Sequence, residues 1–285
     1  MIQSMTGYGK EVVQLPSKTI TIEIKSLNSK SLDLNTRVPS SYRDKELEIR
    51  DLLAKSLERG KVDFSLNIET TGSETSTQLN ETVVKQYIKQ LANVVNGDPV
   101  ELLKMAVRMP DALKTEREEV EDKEYKAILK GVEKALKAIN KYRSDEGKVL
   151  EKDFLDRSIT ISKLLEEVIE MDPDRISTVK ERLRKAVSDL KEKVDENRFE
   201  QELIYYLEKF DITEEKVRLK NHLDFFNDSL KSKDSNGKKL GFITQEIGRE
   251  INTIGSKANY APMQQIVVQM KDELEKIKEQ SLNVL

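Results

Sequence analysis

Apolar and polar residues alternate without a break from Thr19 to Lys25, which puts Ile20, Ile22 and Ile24 on one side of the chain. A period of two marks a strand with one buried face. Ser4 to Gln14 reads as a strand before it, residues 26–31 carry turn chemistry, and Leu32 to Val38 is expected to return as the partner strand. From Pro39, Ser40 and Ser41 the period changes: Leu47, Ile49, Leu52, Leu53 and Leu57 follow the spacing of a helix, which Arg59 and Gly60 end. Alternation resumes over Lys61 to Thr70, with Val62, Phe64, Leu66 and Ile68 inward. This order predicts a small antiparallel or mixed β-sheet with a helix packed on one face.

Beyond a loop at 71–80 rich in Ser, Thr and Gly, the pattern is helical: 80–95, 99–107, 122–143, 145–170, 174–195 and 198–209, with breaks at Pro99, Pro110 and Pro173. Glu146 to Asn197 is highly charged, with Leu150, Phe154, Ile161, Leu164, Leu165 and Val168 at intervals of three and four. Two long helices of this kind read as an antiparallel hairpin, either a solvated arm or one that clamps a partner. The expected fold class is therefore α+β: an N-terminal sheet with its helix, then a mostly α-helical region with a long helical hairpin and C-terminal helices. Residues 1–145, 146–197 and 198–285 are the expected units.

Composition narrows the chemistry. The chain has 285 residues, 37% of them hydrophobic, enough to bury a substantial core. Charged residues make up 35% and aromatics 5%, a balance of long solvated helices. Cysteine is absent, which excludes disulfides, thiolate nucleophiles and Cys-ligated zinc and leaves a hard-metal or metal-free site. The formal net charge is −3, so a surface for a polyanion has to come from local sorting of charge. Met1 to Lys10 has no apolar core of a signal peptide, and no run of about 18 apolar residues occurs, so the protein is expected in the cytoplasm.

Candidate chemistry gathers near the C-terminus. Asp211 followed by Glu214 predicts a capping box and a helix start. On that helix Glu215, Arg218 and His222 share a face, and His222 is the sole histidine. An imidazole with a carboxylate two turns away suits metal ligation or proton transfer, or else the histidine packs and Arg218 makes an ordinary ion pair. From Lys238 to Lys257, Leu240, Ile243, Ile247, Ile251 and Ile254 form an apolar stripe beside Gly241, Gly248 and Gly255. Glycines cost a helix about 1 kcal/mol each, which predicts a close visitor: a neighbouring helix first, a phosphate backbone second. Opposite stand Gln245, Arg249, Asn252 and Ser256, with Glu246, Glu250, Thr253 and Lys257 in an adjoining row. Carboxylates at i and i+4 suit a hard divalent ion and nearby cations suit phosphate, although surface ion pairs would use the same residues. A last helix begins near Pro262, with Ile266, Val267, Met270, Leu274 and Ile277 inward.

Many short blocks, in order, resemble the YicC/YloC family. They include Ser4-Met5-Thr6-Gly7-Tyr8-Gly9, Lys25-Ser26-Leu27-Asn28-Ser29-Lys30, Leu32-Asp33-Leu34 and Arg59-Gly60-Lys61-Val62. Towards the C-terminus they include Asp211-Ile212-Thr213-Glu214-Glu215, Arg218-Leu219, His222-Leu223, Gly237-Lys238-Lys239-Leu240, Gln245-Glu246, Arg249-Glu250-Ile251-Asn252-Thr253, Ser256-Lys257-Ala258 and Lys276-Ile277-Lys278-Glu279-Gln280. The chain departs from that pattern at Gly241, Gly248 and the tail Ser281 to Leu285.

The resemblance implies an endoribonuclease that uses a divalent metal, manganese or magnesium, to hydrolyse RNA phosphodiester bonds. It also implies a homo-oligomer, a hexamer, whose helical arms enclose an RNA channel. On that footing Glu215, His222, Glu246 and Glu250 are the expected metal ligands, and His222, Glu246, Glu250 and Arg249 the catalytic groups. Arg218, Lys238, Lys239, Asn252 and Lys257 are expected on the RNA. An RNA-binding adaptor that delivers transcripts to another nuclease is the alternative, and a purely structural coiled assembly is a third reading.

Overall fold

The computed structural model describes residues 2–70, 78–114, 122–189, 196–232 and 237–285. Most of the loop expected at 71–80, and residues 190–195 of the expected hairpin, lie outside them.

Strand β1 (Gly7–Gln14) turns at Leu15 to Ser17 into β2 (Lys18–Leu27), and the two pair antiparallel. Strand β3 (Leu32–Arg37) leads through a 3-10 turn (Ser40–Lys45) and helix α1 (Glu46–Ser56) to β4 (Gly60–Thr70). Gly60, at φ +123°, makes the reversal into β4 that a Cβ would strain. The sheet order is β1-β2-β4-β3, with β4 antiparallel to β2 and parallel to β3. Here the sequence reading is corrected, because β3 was expected to partner its predecessor β2. α1 is a crossover joining two parallel strands, and the long, alternating β4 inserts beside β2, leaving the short β3 at the edge.

The period of two then does what it predicts. Ile20, Ile22, Ile24, Val62, Phe64 and Leu66 are buried with Ile49, Leu53 and Leu57 beneath the sheet. After α2 (Glu81–Val94) and α3 (Pro99–Ala106), clipped together by the two-residue strands β5 (Gln78–Leu79) and β6 (Leu113–Lys114), comes helix α4 (Asp122–Asp189). Its first turns close the sheet core with Ile128, Val132, Ala135 and Ile139. α4 passes so near β1 that a Cβ on Gly9 would sit 2.2 Å from the Ala135 carbonyl oxygen.

α4 is continuous for 68 residues, roughly 100 Å at the usual rise. The expected interruptions near residue 144 and at Pro173 do not occur, so the two helices placed within 146–197 are one rod. A proline inside a helix costs about 3 kcal/mol. Packing of this stretch outweighs that cost: Ile161, Leu164, Leu165 and Val168 are buried in the second core, and Asp172 accepts hydrogen bonds from Arg175 Nε at 2.8 Å and from Lys216 Nζ at 2.6 Å. The element lying against the far end of α4 is α5 (Glu196–Lys209), across an apolar groove of about 280 Å³ lined by Leu183, Val187, Phe199, Leu203 and Tyr206.

Helices α6 (Thr213–Leu230), α7 (Gly237–Ala258) and α8 (Ala261–Ser281) complete a bundle on the second half of α4. Every residue of the stripe Leu240, Ile243, Ile247, Ile251 and Ile254 is buried, as are Ile266, Val267, Met270, Leu274 and Ile277 of α8. The visitor to the α7 glycines is α8. A Cβ on Gly248 would lie 3.2 Å from Leu274 and one on Gly255 would lie 3.0 Å from Val267, whereas nothing stands within 4 Å of Gly241.

The ends of the chain are sewn together. Met5 N–H donates to the Asn283 carbonyl at 2.7 Å, Leu285 N–H to Gln3 at 3.0 Å, and Gly237 N–H, at the start of α7, to Leu285 at 2.9 Å. Val284 is fully buried. No helix among the described residues is long and apolar enough to cross a membrane.

Candidate active site on the α6 and α7 helices

Helix α6 starts differently from the expected capping box. Asp211 Oδ1 accepts from the Thr213 N–H at 3.0 Å and the Thr213 hydroxyl at 2.7 Å, while Glu214 bonds Arg218 instead of reaching back. The Thr213 hydroxyl bond, helped by the Thr213 N–H and the nearby Lys216 and Lys257 ammonium groups, holds the Asp211 carboxyl below its usual range.

Glu215 and Lys257 set the register of α6 against α7. Lys257 Nζ donates to Glu215 Oε1 at 2.7 Å and to the Asp211 carbonyl at 3.0 Å. Glu215 is 5% exposed, and its second oxygen, Oε2, is buried without a partner. Seven residues along α6 from Glu215 is His222, and seven residues back along α7 from Lys257 is Glu250. Two turns keep a residue on nearly the same face. His222 and Glu250 therefore lie on facing lines of the two helices, two turns in from the ion pair. Glu250 is 4% exposed and forms no hydrogen bond or ion pair among the described residues; His222 is half-buried at the same seam. The helices meet again further on, where Lys239 Nζ sits 4.6 Å above the Phe225 ring.

Outside the seam, α7 presents its polar rows as the spacing predicts. Glu246 stands one turn before Glu250, half exposed, with Arg249 Nη1 3.9 Å away and three-quarters exposed. Lys238, Gln245 and Asn252 are exposed on the outward face and bond to nothing among the described residues. Arg218, on α6, is held by Glu214.

By this spacing His222 and Glu250 fall on the α6 and α7 faces that Glu215 and Lys257 join, with Glu246 and Arg249 exposed on α7. Glu215 stands apart, paired with Lys257, so these two are occupied with each other. No three His, Asp or Glu side chains among the described residues form a set that could hold a metal ion. A magnesium-like ion nonetheless needs only one or two carboxylates when waters and substrate phosphates complete its shell, and Glu246 and Glu250, one turn apart, have that chemistry.

Two residues of this face were missed by sequence reasoning. Phe225 and Phe242 are large apolar side chains left 50% and 68% exposed. The signal was present for Phe242: it falls in step with Lys238, Gln245 and Arg249, out of step with the buried stripe.

The family model for the N-terminal region of YicC-like endoribonucleases matches residues 2–152, and that for their C-terminal region matches 168–285. The chain is 34% identical over 293 residues to the "Probable endoribonuclease YicC" of Clostridioides difficile (strain 630), with all of both chains covered. It is 29% identical over 287 residues, again end to end, to the protein of the same name from Haemophilus influenzae.

Proposed function

We propose that this chain, which belongs to the YicC-like endoribonuclease family, is itself an endoribonuclease whose α6–α7 seam holds the scissile phosphate. The observation that carries this reading is likeness over the whole length to two probable endoribonucleases. In its support, His222 and a buried carboxylate, Glu250, each lie two turns from the Glu215–Lys257 ion pair that joins α6 to α7, and Lys238 and Arg249 are exposed along α7.

In the reaction, water attacks phosphorus, one phosphorus–oxygen bond breaks, and the fragments leave with a phosphate monoester and a hydroxyl. His222 and Glu250 would exchange protons with the attacking water and the leaving oxygen. Arg249 would hold phosphate oxygens, and Arg218 and Lys257, at the far end of the seam, would join it by exchanging the Glu214 and Glu215 carboxylates for phosphate. Lys238 and Lys239 would guide the strand, and Asn252 would orient the backbone or a water. Glu246 and Glu250 would hold a manganese or magnesium ion with water and phosphate oxygens; when bound, that ion supplies charge neutralisation on the phosphate. With a net charge of −3, gathering these cations into one lumen calls for several copies, and a hexameric channel is the assembly we favour.

The test is cleavage of an RNA oligonucleotide, with and without EDTA, by the wild type, Glu246→Ala/Glu250→Gln and His222→Ala. We expect bound RNA in all three and cutting only by the metal-replete wild type. The alternative is an adaptor that binds RNA and delivers it to another nuclease. Wild-type protein that binds RNA and never cuts it establishes the adaptor, and undiminished cutting by the carboxylate variant moves the chemistry elsewhere.

A further inference from the structure

We propose that the short ribbon in which residues 3–5 pair with residues 283–285 is a strap that couples the sheet region to the first turn of α7 and so holds Lys238 and Lys239 in place. The coupling stands on its own, and its effect on RNA rests on the endoribonuclease reading.

Helix α4 packs both against the strands of the sheet and against α6 and α8. A second tie across such a rod fixes the angle between the two regions, and the ribbon lies where one is needed. It meets α4 between the sheet core, which ends at Ile139, and the bundle core, which begins at Phe154: the Ser4 N–H donates to the Arg143 carbonyl at 3.0 Å. The turn after β2 reaches the ribbon through Asn28 Nδ2, which donates to the Leu282 carbonyl at 2.6 Å. Helix α7 reaches it through the Gly237 N–H, which donates to the Leu285 carbonyl at 2.9 Å.

Two glycines make room for these contacts. A Cβ on Gly147 would lie 2.0 Å from the Ile2 carbonyl oxygen, and one on Gly237 would lie 2.3 Å from that of Val284. The ribbon therefore rests backbone to backbone on α4 and on α7, with Ser4 and Val284 fully buried. Arg143 fastens it from below. Its guanidinium is 2% exposed and is held by neutral oxygens: Nη2 donates to the Ser26 hydroxyl at 2.5 Å and to the Met5 and Arg59 carbonyls at 3.3 Å each. Ser26 in turn donates to the Met5 carbonyl at 2.8 Å, while Arg143 Nε is buried without a partner. A buried cation compensated this thinly loses heavily if one oxygen withdraws. Opening the ribbon would remove the Met5 carbonyl, so seating of Arg143 and closure of the strap favour each other. Lys238 and Lys239 follow Gly237 directly, in a first turn whose leading amides have no partner within the helix.

The test is hydrogen–deuterium exchange, read peptide by peptide on the full chain, for wild type, Val284→Ser, and Ser4→Cys/Val284→Cys in reduced and oxidised form. The chain has no cysteine of its own, and Ser4 and Val284 face each other across an antiparallel bridge, within reach of a disulfide. Val284→Ser should speed exchange at least about tenfold at residues 2–6 and in the first two turns of α7, with β4 and α1 unchanged. Oxidising the cysteine pair should slow exchange at those same two places relative to the reduced form. Faster exchange confined to the tail overturns the inference, because the tail would then fray without releasing α7. Faster exchange spread evenly through the chain overturns it as well, since Val284 would then be ordinary core. Should Val284→Ser fail to fold, the cysteine pair decides alone, and equal exchange at α7 in its two forms overturns the inference. Affinity for a labelled RNA oligonucleotide should fall roughly tenfold in Val284→Ser, as far as Lys238→Ala/Lys239→Ala takes it. Affinity that stays at the wild-type value overturns the inference, whereas wild-type protein that binds no RNA sinks the endoribonuclease reading and leaves the exchange result standing.

Discussion

On the outward face of the sheet, Glu23 accepts a hydrogen bond from the Tyr8 hydroxyl at 3.0 Å and lies 3.3 Å from Lys10 and 3.7 Å from Lys25. Across the same face Asn35 donates to Asp63 at 2.8 Å. On the outward face of α7, Lys238, Gln245 and Asn252 have no such partners among the described residues, and Arg249 reaches Glu246 only at 3.9 Å. Both surfaces are polar rows opposite an apolar stripe. The centre of the sheet face is paired in this way, with Lys61, Asn67 and Glu69 open around it, whereas the α7 row has no such paired centre and lies beside a buried carboxylate. Polarity alone does not separate a solvated surface from a functional one; a buried ionisable group beside it adds a distinguishing mark.

The largest effect expected lies between these cases, where polar groups are paired and also buried. Lys257→Met leaves the Glu215 carboxylate without its partner at the base of the seam, a loss of about 3 kcal/mol in urea unfolding near neutral pH. Were Lys257 a phosphate holder and nothing else, stability would be unchanged and RNA affinity alone would fall. On the open face the order reverses. Arg249→Ala should reduce cleavage about a hundredfold, as expected for a lost charge clamp on the reacting phosphate. Its unfolding free energy should stay within about 0.5 kcal/mol of wild type. A large change in stability would place Arg249 among the self-satisfying groups.

The sheet face gives a smaller effect with a pH signature. The Tyr8 hydroxyl bond, with Lys10 and Lys25 nearby, holds the Glu23 carboxyl below its usual value. A carboxylate depressed in the folded state contributes stability above its unfolded pKa, and that contribution disappears as pH falls through the folded value. Glu23→Gln should therefore cost up to about 1 kcal/mol at pH 7 and leave cleavage alone. The gap should close as unfolding is measured at pH values descending through the carboxylate range. A gap that persists in acid would mean that shape, and not charge, supports this face.

What the sequence made legible follows from range. The alternation of Ile20, Ile22 and Ile24 and the stripe Leu240 to Ile254 are local, and each buried face emerged as read. The neighbour of β3 is not local: which strand lies beside Leu32 to Arg37 depends on where β4 inserts, and nothing within β3 encodes that. Pro173 is a local breaker overruled by the tertiary packing of α4 against α6 and α8. The site lies between these cases. The residues of the α7 rows were readable from spacing, but the facing of His222 and Glu250 depends on the register that Glu215 and Lys257 fix across 42 positions of sequence. That same pairing engages one oxygen of Glu215 with Lys257 and leaves the other, Oε2, buried without a partner.

The α7 glycines carry the comparison to its finest scale, because three residues of one type on one helix face differ only in what stands opposite. At Gly255 a methyl group would come within 3.0 Å of Val267 Cγ1, a buried β-branched side chain with little rotameric freedom, and at Gly248 within 3.2 Å of the Leu274 Cδ2 methyl. At Gly241 it would meet nothing within 4 Å. Alanine relieves the entropy cost of a helical glycine, a gain of about 0.5 kcal/mol near the start of a helix. Gly241→Ala should realise that gain in urea unfolding, while Gly255→Ala should show none or a loss as Val267 is pushed from its packed position. Equal gains at both positions would show that α8 yields to α7 freely, and the close packing that sets the outward angle of Gln245, Arg249 and Asn252 would then be loose.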